Sequence, residues 1–332
     1  MKRIFYILSI LTSLSANAQL GQTVYNFLNI PVSPRQAALG GDVISLHDYD
    51  PNMSAVNPSL MNLEMDNRVS ANYSSYLADS KLGSINYVKD MEYGHLISVN
   101  LRYMDFGKID RTDEFGNALG SFTAQDIALG MGYAYQFEDD WTIGGQVNFI
   151  SSKIDHYTST ALTGTAGITY HNQQSKEVLS LVFRNFGGQL KTYDGKRETL
   201  PFRIDLGYTR TMANFPLAIS VTAHDLQKFD ISSPTNLNGQ KTTSLKKVLD
   251  HFSFGAEFFP EQAFNIRLGY NVKRGSDLAV ADQRNFSGLS AGFGLKISWL
   301  KFDYSHVRYH NASNMNYLGL SLDLYELTGI RR

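Results

Sequence analysis

From about Arg68 onward the chain repeats one pattern, short segments in which every second residue is apolar. Ile127, Leu129, Met131, Tyr133, Tyr135 and Phe137 share one phase, and Ala128, Gly130, Gly132, Ala134 and Gln136 share the other. The same dyad returns in Phe202, Ile204, Leu206 and Tyr208, in Phe264, Ile266, Leu268, Tyr270 and Val272, in Leu289, Ala291, Phe293, Leu295 and Ile297, and in Leu318, Leu320, Leu322 and Leu324. A period of two places alternate side chains on opposite faces of a β-strand. Candidate strands begin near Arg68, Lys81, His95, Phe122, Trp141, Ala161, Val178, Phe202, Leu217, His251, Phe264, Gly288, Leu300 and Asn316. Each runs for about ten residues, the length of a tilted strand that crosses a bilayer.

That makes fourteen strands, an even number, as in single-chain bacterial outer-membrane barrels. After the first hairpin the spacing predicts long connections at Gly107 to Ser121, Gly187 to Pro201, Asp225 to Asp250, Lys273 to Ser287 and Arg308 to Met315. Short ones fall between them, at Glu138 to Asp140, Met212 to Pro216, Pro260 to Ala263 and Ser298-Trp299. A barrel with both termini in the periplasm has short periplasmic turns and long outer loops, whereas a soluble sandwich has no reason to alternate. Trp141, Phe137, Phe258, Phe264 and Trp299 fall at the short turns, where an aromatic girdle would meet the periplasmic interface.

The second phase of each strand separates the two architectures. The outer face of a sandwich meets water and is rich in Lys, Glu and Thr. Here that phase is Gly, Ala, Ser and Asn, with Arg203, Arg267, Lys296, Lys301, Asp205, Glu257, Asp303 and Asp323 scattered among them, which suits a crowded polar lumen. On this assignment Leu206→Arg is costly and Gly207→Ser is mild. Thirty Lys and Arg against 31 Asp and Glu leave a net charge of -1 and no basic excess to grip nucleic acid. The chain has no Cys, which excludes thiolate metal sites, cysteine nucleophiles and a lipoprotein anchor. Outside the first fourteen residues no apolar run approaches the roughly 18 residues of a spanning helix. The expected fold is all-β, a 14-stranded antiparallel transmembrane β-barrel of the outer membrane.

Two segments precede the barrel, which is expected over residues 67–332. Lys2 and Arg3, the apolar block Ile4 to Leu14 and Ala16-Asn17-Ala18 read as a secretory signal peptide over residues 1–18. Residues 19–66 lack alternation and carry Pro31, Pro34, Pro51, Pro58 and Gly40-Gly41, yet they are too apolar for a disordered linker. A plug folded inside the lumen would bury Val24, Tyr25, Phe27, Leu28, Ile30, Ala37, Ala38, Leu39, Met53, Leu60, Met61 and Leu63.

Within this segment stand Gly21-Gln22-Thr23-Val24-Tyr25-Asn26-Phe27-Leu28, then Pro31-Val32-Ser33-Pro34-Arg35-Gln36-Ala37-Ala38-Leu39-Gly40-Gly41, then Asn57-Pro58-Ser59-Leu60. The run closely resembles the N-terminal region of the PorV/PorQ group within the FadL-like outer-membrane barrels. Its specific part is Gly21 to Leu60, while the strands are generic to the fold. The resemblance implies a FadL-like barrel with an N-terminal plug, in which Asn57, Pro58 and Ser59 stand where those barrels carry an Asn-Pro-Ala element. It also implies a part in the type IX secretion system, in the cell-surface attachment complex with PorU, PorV and PorZ, where cargo is cut and joined to lipopolysaccharide. The last residues, Leu327 to Arg332, lack the terminal aromatic used by many barrels for assembly.

No residue pattern argues for an enzyme. Ser244-Leu245-Lys246-Lys247 matches Ser-x-x-Lys, but the Ser-Asp-Asn and Lys-Thr-Gly partners are missing, and Thr243 to His251 reads as a short amphipathic surface helix. His306 and His310 are four apart on a strand, where that spacing does not form a helical metal site. Asp48, Asp50 and Asn52 begin like a calcium loop, but Met53 takes the place of the required Gly, so turn chemistry is expected. Neither a metal nor a cofactor is expected. Lys241, Leu245, Lys246 and Lys247, in the longest outer loop, are the candidate partner-binding residues. The leading functional reading is a non-enzymatic docking component of type IX secretion, in contact with outer-membrane lipid and lipopolysaccharide. The rival is a FadL-like channel for small hydrophobic molecules.

Overall fold

The structure, a computed structural model, describes residues 23–75, 80–235, 241–277, 286–310 and 313–329. The leader expected at residues 1–18 lies outside them. Fourteen strands are present among the described residues: β1 (Arg68–Ser75), β2 (Lys81–Asp90), β3 (His95–Thr112), β4 (Ala118–Glu138), β5 (Trp141–Ile154), β6 (Tyr157–Asn172), β7 (Glu177–Lys191), β8 (Arg203–Thr211), β9 (Leu217–Ala223), β10 (Phe252–Phe258), β11 (Phe264–Asn271), β12 (Leu289–Ile297), β13 (Leu300–His310) and β14 (Ser313–Asp323). Each pairs antiparallel with the next, and β1 pairs with β14, from Arg68 opposite Asp323 to Ser75 opposite Asn316, which closes the barrel. The Arg68 guanidinium meets the Asp323 carboxylate at 2.6 Å on that seam. Closure pairs every strand on both sides, the condition for an unbroken ladder in lipid.

Strand lengths depart from the uniform ten residues expected. β3 to β7 run for 14 to 21 residues, whereas β8 to β12 run for 7 to 9. Much of what reads as loop at Gly107 to Ser121 is therefore strand, closed by a tight turn in which the Asp113 carboxylate accepts from the amides of Phe115 and Asn117. β7 likewise continues to Lys191, and β13 to His310. Beyond the bilayer a strand needs no apolar face, so the hydrogen-bonded ladder persists where the alternation stops. The alternation of long and short connections is also broken at the outer rim, where only Asp155 and His156 join β5 to β6. The loop from Asp225 to Asp250 is long as expected and carries a short helix at Ser244–Leu249.

The two faces are as the alternation dictates. Ile127, Leu129, Met131, Tyr133, Leu206, Ile266, Leu268, Leu318 and Leu320 point outward and are exposed. Arg203, Asp205, Glu257, Arg267, Lys301 and Asp303 point inward and are buried. An apolar belt outside and charges inside invert the order of a water-soluble protein, and lipid is the solvent that stabilises it. The protein is an outer-membrane β-barrel.

What covers the inward charges is the N-terminal segment. It contains one short helix, α1 (Pro34–Ala38), and 3-10 turns at Asn26–Asn29, Pro51–Ala55, Pro58–Leu60 and Leu63–Met65. Ser33 caps α1 through its side chain, and Pro34 fills the first turn, where a missing N–H costs nothing. α1 packs on β11 to β14, and the Pro58–Leu60 turn packs on β4 to β6, so the segment spans the lumen from wall to wall. Val32, Leu39, Val43, Ile44, Met53, Leu60 and Met61 form its buried apolar core.

Candidate functional site

Asn57, Pro58 and Ser59 fold into a single hydrogen-bonded knot against the wall. The Asn57 carbonyl oxygen Oδ1 accepts from the Ser59 amide at 3.0 Å and from Ser59 Oγ at 2.6 Å. Its Nδ2 donates to the Ile44 carbonyl at 3.0 Å and to Thr169 Oγ1 at 3.3 Å. Thr169 on β6 then meets Ser59 Oγ at 2.8 Å and Ser180 Oγ on β7 at 2.8 Å. The approach is close enough to need glycine in the wall. A Cβ on Gly144 of β5 would stand 2.5 Å from the Ser59 nitrogen, and one on Gly167 of β6 would overlap Asn57 Oδ1.

A second anchor is ionic. Arg35 of α1 holds Glu257 of β10 at 2.7 Å, Asp48 at 2.6 Å and Asp50 at 3.6 Å. Glu257 also binds Arg267 of β11 at 2.7 Å, and Arg267 binds Asp303 of β13 at 2.6 Å. Tyr49 lies beneath Lys296 and Lys301, with its ring centre 4.4 and 4.9 Å from their ammonium nitrogens. Asp50 caps the Pro51–Ala55 turn, so the calcium-like Asp48, Asp50 and Asn52 serve ion pairing and turn chemistry. Glu257, Arg267, Lys301 and Asp303 were legible as inward charges. The pairing of Arg35 with Glu257 and Asp48 is not legible in the same way; the only signal is a cation inside an apolar, Pro-rich segment.

Near the outer mouth Arg203 of β8 is shared by Asp205 at 3.1 Å, Asp42 at 2.8 Å and Asp225 at 3.8 Å. Asp42 further accepts from Asn271 Nδ2 at 2.7 Å. Beside this cluster lies a cavity of about 320 Å³, bordered by Asp42, Arg203, His224, Asp225, Lys273 and Arg274 among others. Its lining mixes charged residues with polar ones such as Asn29, His224 and Asn271, so it suits water and polar groups rather than a hydrocarbon.

The candidate partner-binding residues lie together in the outer loop. Lys241 pairs in an isolated bridge with Thr235, and Leu245, Lys246 and Lys247 belong to α2 (Ser244–Leu249), capped by the Thr243 side chain. Leu245 is 70% exposed, while Lys246 is paired with Asp250 and Lys247 with Asp230. Both lysines of the Ser-x-x-Lys match are thus held by carboxylates, and Ser244 lies at the exposed start of the helix. Two further short helices stand at the barrel ends, α3 (Val272–Asp277) outside and α4 (Leu324–Thr328) at the periplasmic rim. His306 sits on β13 with Nδ1 3.0 Å from Asn316 Oδ1. Among the described residues no group of three or more His, Asp or Glu is arranged to hold a metal ion.

A closed barrel of fourteen strands enclosing an N-terminal segment defines a class of outer-membrane protein, and the solved structures that share it are FadL-like. The toluene transporter TbuX of Ralstonia pickettii superposes with a TM-score of 0.55 at 11% identity, over 89% of this chain and 98% of that one. The toluene transporter TodX of Pseudomonas putida gives 0.55 at 12% identity, over 88% and 96%. A FadL homologue of Pseudomonas aeruginosa gives 0.54 at 11% identity, over 88% and 98%. No protein-family model and no curated protein sequence matches the chain. The fold is FadL-like; identities this low carry the architecture and not the activity.

Proposed function

We propose that this barrel is a non-enzymatic docking component of type IX secretion at the cell surface, a PorQ-like protein whose lumen is occupied by residues 19–66 acting as a plug. The single observation that carries the non-transport half is the Arg35–Glu257 ion pair, which ties the N-terminal segment across a lumen faced with small, polar and charged side chains. A passage for greasy solutes needs a mostly apolar pocket with a few polar groups. The secretion half rests on the resemblance of Gly21 to Leu60. On this reading PorU, PorV and PorZ are the partners, lipopolysaccharide is the acceptor of cargo nearby, and Lys241, Leu245, Lys246 and Lys247 belong to the docking loop. The test is replacement of residues 236–247 with a short Gly/Ser linker, followed by affinity purification from detergent-solubilised outer membrane. The barrel should remain folded, co-eluting partners should be lost, and cargo should no longer attach to the surface. Retention of partners and attachment would remove the loop from the interface.

The second reading is a channel for small hydrophobic molecules, and the comparisons favour it, since two of the similar folds are toluene transporters. Reconstitution into liposomes separates the two. Uptake of a small aromatic hydrocarbon faster than through empty liposomes supports the channel; uptake equal to the control leaves docking as the function.

A further inference from the structure

Arg102 of β3 and Arg184 of β7 line the same internal cavity of about 30 Å³. Both are more than nine-tenths buried. The rest of the lining includes the amide side chains of Asn86, Asn100, Gln146 and Asn148, and no carboxylate borders it among the described residues. Arg102 Nη1 donates to the carbonyls of Phe27 at 2.9 Å and Leu28 at 2.6 Å, which are neutral partners. Arg184 reaches Asp205 at 3.3 Å, but that carboxylate is already engaged by Arg203. Two buried arginines therefore border one small space with less than one carboxylate between them. A buried charge without an ionic partner is costly, and two like charges add repulsion to desolvation. Guanidinium offers five fixed N–H donors and no acceptor, so the chemistry that resolves the imbalance is a small anion. The space is adequate, since roughly 10–15 Å³ of such volume holds one water.

We propose that this cavity binds one small monovalent anion of halide or formate size between Arg102 and Arg184, and that its occupancy locks the N-terminal segment in the lumen. The link is direct. Arg102 grips that segment through the Phe27 and Leu28 carbonyls, and the anion removes the repulsion from Arg184 that acts against its position. The anion comes from the medium and exchanges with it, so the barrel senses halide without any covalent change.

The full chain, purified in detergent, is exchanged into sodium gluconate and titrated with sodium chloride at constant ionic strength. Protease cleavage within residues 23–66 is expected to slow at least threefold and to saturate with chloride. Arg102→Gln should cleave rapidly at every chloride concentration. Crystals of the wild-type protein grown with sodium bromide should show an anomalous peak between the two guanidiniums, which keeps the site testable if the variant fails to assemble. Ordered water without bromide overturns the site. A bromide peak with chloride-independent cleavage overturns the lock.

Discussion

Arg35 and Glu257 are 222 positions apart in the chain, yet guanidinium and carboxylate meet at 2.7 Å with both side chains almost fully buried. This pair joins the N-terminal segment to the barrel wall. Arg35→Met leaves Asp48 and Asp50 without their buried cation, and it should destabilise the folded segment by about 3–5 kcal/mol. The double variant with Glu257→Gln should cost less than the two single losses added together, because the residues share one network. Denaturant unfolding of the three variants beside wild type measures both.

Gly144→Val tests the seat of Asn57-Pro58-Ser59. The new side chain would strike the backbone of Pro58 and Ser59, and backbone cannot move aside as the end of a flexible side chain can. The expected result is a barrel that still shifts in gel mobility on heating but whose residues 31–66 become sensitive to protease. Unchanged protection would mean that the close approach is not maintained in the membrane.

The lipid and lumen faces predict unequal costs, with one revision to what alternation alone suggests. Leu206→Arg places a charge on the exposed apolar belt near mid-strand and should cost about 2–4 kcal/mol and impair assembly. Gly207→Ser reads as mild from the sequence, but a Cβ there would stand 2.6 Å from Ile44 Cγ1 and 3.0 Å from Ser45 Oγ. The inner neighbour is packed protein and not water, so Gly207→Ser should also destabilise, by about 1–3 kcal/mol as in overpacked cores. Thermal midpoints of the two variants against wild type give the comparison.

A clamp at the periplasmic rim should respond to acid. Burial alone would raise the pKa of Asp66, but the Asp90 amide, Lys89 and the Tyr325 hydroxyl of α4 stabilise its carboxylate and hold it below the ordinary aspartate value. A carboxyl depressed on folding contributes stability that is present above its unfolded pKa, about 3.9, and is lost as pH falls through the lower folded value. Proteolytic release of residues 324–329 should therefore increase below about pH 4 in wild type. In Asp66→Asn it should be fast and independent of pH.

Ser244→Ala should leave assembly and partner retention unchanged. Ser244 lies at the exposed start of α2, and the lysines following it are occupied by Asp250 and Asp230, so no base is free to activate it. Covalent labelling of Ser244 by a β-lactam would overturn this assignment.

Alternation by itself determined the strand number, the closure and which residues face lipid, because a period of two and a bilayer leave one economical solution. It could not mark strand ends above the membrane, where β3 and β4 continue as a ladder without an apolar face. The charges of the lumen were legible as exceptions to a small-residue face, from Arg203 to Asp303. Their partners were not, since pairing Arg35 with Glu257, or Asn57 with Thr169, depends on how an irregular segment folds inside the barrel. Such a segment has no period to read. Only the tertiary structure decided which glycines of the wall are contact points and which charges are compensated, because both are properties of distance between residues far apart in the chain.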